Sequence, residues 1–172
     1  MLGVTGSIAA YKAVELLRLM QGKGWDVQVV MTRAATEFVT ELTFRTLSRH
    51  PVGVEMFGSA VDWTPEHISF ADQADVVVIA PCTANVIAKV VHGLADDLLS
   101  CTVLATEAPV VIAPAMNVKM WNDAATQTNV KIAKSRGICI VEPGDGDLAC
   151  GYQGKGRMPP LENIITAVES CL

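Results

Sequence analysis

The sequence predicts an α/β fold, a parallel, doubly wound sheet with helices on both faces. Three observations carry that prediction. Runs rich in β-branched residues recur at Val27 to Met31, Val76 to Ala80 and Val110 to Ala113, and the last two contain no polar residue. Continuous apolar strands belong to sheets covered on both faces. Stretches with helical spacing of apolar residues separate these runs, the alternation expected of a parallel sheet. Hydrophobic residues make up 51% of the chain and charged residues only 18%, which suits doubly buried strands.

Taken in order, Met1 to Val4 reads as the end of a first strand and Thr5-Gly6-Ser7 as a turn. Ile8 to Lys23 reads as a helix with Ile8, Val14, Leu17 and Met20 near one face, ended by Gly22 and Gly24. Val27 to Met31 is the second strand. Thr32-Arg33-Ala34 leads into helical segments at Thr36 to Leu42 and Phe44 to Arg49. Val52 to Pro65 has too weak a period to assign. Glu66 to Ala74 is expected as a short helix carrying His67, and Val76 to Ala80 as a buried strand stopped by Pro81. Thr83 to Val91 and Leu94 to Thr106 read as helices, Val110 to Ala113 as a strand, Met120 to Ser135 as a helix and Ile138 to Val141 as a last strand. Pro143 to Pro160 is glycine-rich and without periodicity, the mark of a functional flap. Leu161 to Cys171 closes the chain as a helix. The 172 residues form one domain, a flavodoxin- or Rossmann-like three-layer sandwich without repeats or linkers.

Several function classes are excluded. A net charge of −5 offers nothing to nucleic acid or an anionic membrane. No apolar run approaches the roughly 20 residues of a membrane span, and the opening residues are too few and uncharged for a signal peptide. The five cysteines are widely spaced with no Cys-x-x-Cys pair, so no metal site is expected, and reduced thiols fit a cytoplasmic location.

Candidate site residues cluster at predicted carboxyl ends of strands, where α/β sheets bind ligands. Gly6-Ser7-Ile8 is either a tight turn with Ser7 as helix cap or a seat for a phosphate on free backbone N–H groups. Thr32 follows the second strand, and Thr83-Ala84-Asn85 follows the central one. Together their hydroxyl and amide groups fit a mononucleotide with a polar ring edge. Asn117, uncharged, stands where a helix should start after Pro114. His67 has a side chain whose ordinary pKa suits proton transfer, and Cys150 lies inside the glycine-rich stretch, an unusual place for a free thiol.

Thr5-Gly6-Ser7-Ile8-Ala9-Ala10-Tyr11-Lys12, His67-Ile68, Pro81-x-Thr83-Ala84-Asn85, Pro114-Ala115-Met116-Asn117-x-x-Met120-Trp121 and Ala149-Cys150-Gly151-x-x-Gly154-x-Gly156-Arg157-Met158 form a set that runs nearly the whole chain. In order and spacing it resembles the homo-oligomeric flavin-containing cysteine decarboxylases. The Ala149-Cys150-Gly151 element resembles the members that act on 4′-phospho-N-pantothenoylcysteine in coenzyme A biosynthesis, and the Gly156-Arg157-Met158-Pro159 ending resembles their bacterial branch, where the domain is often fused to a phosphopantothenate–cysteine ligase. The resemblance implies FMN as cofactor, held by Gly6, Ser7, Ile8, Thr32, Thr83, Ala84, Asn85, Val86 and Met116. It implies His67 as base, Asn117 as binder of the substrate carboxylate and Cys150 as acid, with Asp147, Ala149 and Met158 lining the substrate. It also implies a homotrimer or trimer-based dodecamer with sites at subunit contacts. Two positions depart from the family pattern. Cys82 replaces a small Ala, and Val86 replaces a Thr, which removes a hydroxyl near the flavin.

The implied chemistry has a physical logic. A cysteine carboxylate loses CO2 only when the resulting carbanion has an electron sink. Oxidation of the side chain to a thioaldehyde provides one, and an enethiolate remains. A neutral Asn117 orients the carboxylate without stabilising the charge that must disappear. Two alternatives stand beside this reading. An oxidative decarboxylase of a peptide C-terminal cysteine would have no use for Cys150. A non-catalytic flavin-binding regulatory subunit would be expected to lack His67, Asn117 or Cys150, and all three are present.

Overall fold

The computed structural model describes residues 1–57, 65–147, 151 and 153–172. Six short strands pair in parallel: β1 (Leu2–Val4), β2 (Val29–Met31), β3 (Val52–Gly53), β4 (Val77–Cys82), β5 (Val110–Pro114) and β6 (Cys139–Ile140). Their order in the sheet is β3-β2-β1-β4-β5-β6. The chain therefore winds outward in one direction from β1 and in the other from β4. The crevice between the carboxyl ends of those two strands is the switch point at which such sheets bind ligands.

Side chains alternate between two buried layers, as a period of two residues requires. Leu2, Val4, Val78, Ala80, Val111 and Ala113 face one core with α1 (Ala10–Gly22), α3 (Glu41–Ser48) and α9 (Leu161–Glu169), which contribute Leu16, Leu17, Phe44 and Ile164. Val77, Ile79 and Ile112 face the other, against α5 (Ala84–His92), α6 (Leu98–Ala105) and α8 (Ala124–Ser135). The doubly wound, three-layer prediction is borne out. No helix among the described residues is long and apolar enough to cross a membrane.

The elements differ from the sequence prediction where polar caps or proline decide a boundary. The segment Thr36 to Leu42 is not one helix. α2 (Arg33–Thr36) ends there, and Thr40 is extended before α3 begins at Glu41. The helix expected from Leu94 begins at Leu98, because Asp97 and Ser100 form a reciprocal capping box. Met120 to Ser135 is two helices, α7 (Val118–Asn122) and α8, each with its own cap, Asn117 and Asp123. α4 (Glu66–Gln73) lies close to prediction. Strand β4 runs through Pro81, although proline lacks an amide donor. Its neighbours still use carbonyls: Cys82 O accepts from Ala115 N at 3.0 Å, and the ladder shifts register between Ile79 and Cys82. The glycine-rich stretch is not structureless. β7 (Gly144–Asp147) and β8 (Gln153–Arg157) form an antiparallel ribbon.

One buried hydroxyl ties the switch point together. Thr5, directly after β1 and wholly buried, donates to Pro81 O at 2.8 Å and accepts from Thr83 N at 3.0 Å. Thr5→Val keeps the shape but leaves a buried carbonyl and a partly buried amide unpaired. It should destabilise the fold by about 2 kcal/mol, a fall in Tm of roughly 4–8 °C for a chain of this size. Thr5→Ser, which keeps the hydroxyl, should lose less than half of that in the same thermal melt.

Candidate functional site

Two clefts open at the carboxyl ends of the strands. The larger, about 770 Å³, is lined by Gly6, Thr32, Thr83, Asn85 and Val86, together with Arg33, Glu55, Lys89, Asp96 and Asp97. Its size falls within the range of small-molecule sites. Thr83 caps α5, its hydroxyl accepting from Val86 N at 3.3 Å, which turns the first residues of that helix to the cleft. Ala84 is the first residue of α5 but is not among the described lining residues. Val86 presents methyl groups where a hydroxyl was the family expectation. Cys82 is wholly buried, and burial pushes its thiol pKa well up, so it is a neutral packing residue.

Thr32 is the polar irregularity of this cleft. Its Oγ1 is buried and has no hydrogen-bond partner among the described residues. An orphaned hydroxyl in a cleft-lining residue is a group that a bound ligand satisfies. The cations here are all committed. Arg33 grips Glu55 through Nε and a terminal nitrogen at 3.0 and 2.7 Å in an exposed pair, and the mutual hydrogen bond raises the Arg33 pKa and lowers that of Glu55. Lys89 sits between Asp96 and Asp97, at 2.6 Å from each. Burial works against its charge, but the two carboxylates outweigh burial and its pKa is raised, so it stays protonated. For Asp97, burial is likewise outweighed by Lys89 and Ser100, and its pKa is lowered.

The second cleft, about 490 Å³, gathers Ser7, Ile8, Met116, Asn117, Asp147 and Met158 with Lys12 and Arg157. The turn after β1 serves both clefts, with Gly6 on one and Ser7 and Ile8 on the other. Asn117 Oδ1 accepts from Lys119 N at 2.8 Å and so caps α7. The ribbon lies directly on this stretch: Met116 N donates to Gly156 O at 2.9 Å. A side chain at residue 156 would run into the Met116 carbonyl, and one at residue 154 would approach Val118 Cγ2 to 2.8 Å. With φ of 157° and 145°, glycine at both places permits close approach. At its base the ribbon is held by Glu142, which bonds Lys134 at 2.7 Å and Lys155 at 2.8 Å, and by Lys155 over the Trp121 ring. Gln153 Nε2 donates to Asp147 Oδ1 at 2.9 Å and fixes that carboxylate. Met158 is buried at the foot of the ribbon.

The structure thus brings together Asn117, Asp147, Met116 and Met158 from the expected set. His67 is half-buried on α4 and is not among the described lining residues of either cleft. Ala149 and Cys150 lie outside the described residues. Sequence reasoning missed Thr5, Lys12 and Arg157 as parts of the site. For Lys12 the available signal was helical spacing, four residues beyond Ile8.

A family model described as Flavoprotein matches residues 1–172. The chain belongs to the flavoprotein family. Among curated flavoprotein relatives, the coenzyme A biosynthesis bifunctional protein CoaBC of Bacillus subtilis is 47% identical over 169 residues, 98% of this chain and 42% of the relative. Its Escherichia coli K12 counterpart is 46% identical over 168 residues, 97% of this chain and 41% of the relative. The chain therefore spans about two-fifths of the length of these relatives. Among solved structures, a cysteine-to-serine variant of PPC decarboxylase complexed with pantothenoylaminoethenethiol superposes with a TM-score of 0.86 at 30% identity, covering 98% of this chain and 94% of that one. The FMN-dependent cysteine decarboxylase SpaF gives 0.82 at 32% identity, covering 97% and 95%.

Proposed function

We propose that this flavoprotein binds FMN and decarboxylates 4′-phospho-N-pantothenoylcysteine to 4′-phosphopantetheine. The observation that carries this reading is the second cleft: a neutral, helix-capping Asn117 lies beneath the ribbon of β7 and β8, next to the Met116 N to Gly156 O hydrogen bond. Relatives named for coenzyme A biosynthesis and for PPC decarboxylase support the choice of substrate. Gly6, Thr32, Thr83, Ala84, Asn85 and Val86 would hold FMN from the larger cleft, with Ser7, Ile8 and Met116 at its border. Bound FMN would supply the two-electron oxidation of the substrate thiol carbon and the later return of those electrons. His67 would accept the substrate thiol proton. Cys150 would donate the proton that completes the product. Asp147, Ala149 and Met158 would line the bound substrate.

Asn117 has two ends with different duties. Its Oδ1 accepts from the Lys119 amide, and its neutral amide would orient the substrate carboxylate. The domain would work as a homotrimer or trimer-based dodecamer in the cytoplasm, fused to or alongside a phosphopantothenate–cysteine ligase. Support for assembly comes from α6, with Leu104 61% exposed. Sedimentation reads that assembly directly.

The founding test is flavin absorbance of the purified protein, followed by mass-spectrometric detection of CO2 loss from the cysteine conjugate. Absence of both flavin and turnover would sink the proposal. Thr32→Val should leave the flavin-free protein as stable or slightly more so, since it removes an unpaired buried hydroxyl, while FMN affinity falls about tenfold in a flavin titration. Asn117→Asp keeps an oxygen that can accept from the Lys119 amide and cap α7. Yet it replaces donors by negative charge, and turnover should drop at least ~100-fold with FMN still bound. Cys150→Ser should stall at or release the oxidised enethiol. Native rates of product formation from that variant would remove the acid role.

A further inference from the structure

Lys12 and Arg157 differ from the cations of the larger cleft. Both line the second cleft. Neither side chain makes a hydrogen bond or ion pair among the described residues, whereas Arg33 and Lys89 are each closed off by carboxylates. They come from separate elements: Lys12 from the first turn of α1, four residues after the cleft-lining Ile8, and Arg157 from the last position of β8. Arg157 does not trail into solvent. Its guanidinium lies across the ribbon, with one nitrogen 2.9 Å from where a side chain on Gly146 would begin. The one carboxylate among the described lining residues, Asp147, accepts from Gln153. Two uncommitted cations against one carboxylate make this cleft locally positive on a chain whose net charge is −5.

We propose that Lys12 and Arg157 form the subsite for a phosphate monoester, and that this monoester is the phosphate of the substrate, at the far end from the carboxylate held by Asn117. This rests on the substrate assigned under the proposed function. A phosphate monoester carries a charge of about −1.5 to −2 at neutral pH. A planar guanidinium and an ammonium brought to it from two sides give charge-assisted bonds that an unphosphorylated compound cannot make. The pair would then determine specificity, selecting a phosphorylated small molecule over a peptide ending in cysteine.

The same cations could serve the phosphate of FMN, since Ser7 and Ile8 border the cleft, and the test separates the two. The flavin-loaded protein is titrated with 4′-phosphopantetheine and with pantetheine, and flavin content is read in parallel. Native protein should bind the phosphorylated compound at least tenfold more tightly. Lys12→Met and Arg157→Met should each erode that preference about tenfold, and the double variant should abolish it with flavin retained. Lys12→Arg and Arg157→Lys, which preserve charge and most packing, should keep the larger part of it. A preference that survives in the double variant, or native protein with none, overturns the subsite. Loss of flavin with the preference intact also overturns it and gives these cations to FMN. A phosphate preference in native protein that shows no CO2 release overturns the functional reading and leaves the subsite standing.

Discussion

The site depends on a hydroxyl that touches no ligand. Thr5 bonds Pro81 O and Thr83 N across the gap between β1 and β4, the gap where the winding of the sheet reverses. A parallel sheet leaves its carboxyl ends as free loops, and loops drift unless something pins them. Here the pin sits beneath both clefts. Gly6 and Thr83 reach one cleft, and Ser7 and Ile8 the other, so the two hydrogen bonds of the Thr5 hydroxyl, one of them buried, help set the relative placement of the two cavities.

Charge is partitioned between the cavities. In the larger one, positive groups are neutralised by carboxylates on neighbouring loops, which leaves the work of binding to backbone, hydroxyl and amide groups. In the smaller one, charge is left available. That division suits a cofactor that stays and a substrate that must be captured, turned over and released. The ribbon completes the smaller cavity and is itself firmly seated. Two glycines let its backbone lie against Met116 to Val118, and Glu142 with Lys155 hold its base to α8 and Trp121.

Much of this was legible in the sequence. Apolar runs named the central strands, and the residues following them named part of each cleft wall. The failures share a cause. Helix boundaries at Leu98 and Ala124 are decided by single side-chain caps, Asp97 and Asp123, which periodicity does not weigh. Pro81 stops a strand only if the missing donor is needed, and here carbonyls carry the pairing. Pro143 to Pro160 looked like an unstructured flap because its glycines were read as freedom, when Gly154 and Gly156 serve contact. Thr5 was invisible because its partners lie more than seventy residues away, and nothing local distinguishes a bridging threonine from a turn residue.

Asn117 carries a consequence for how the sequence can drift. The position must accept a hydrogen bond from the Lys119 amide to start α7 and, in the proposed reaction, must donate to a carboxylate. Aspartate meets the first demand alone. Serine and threonine have one short hydroxyl to divide between both, and glutamine is too long to cap its own helix. Structure and the proposed chemistry each tolerate several residues at this place, but their intersection is nearly a single amino acid, so two modest requirements together would fix a position that neither would fix separately.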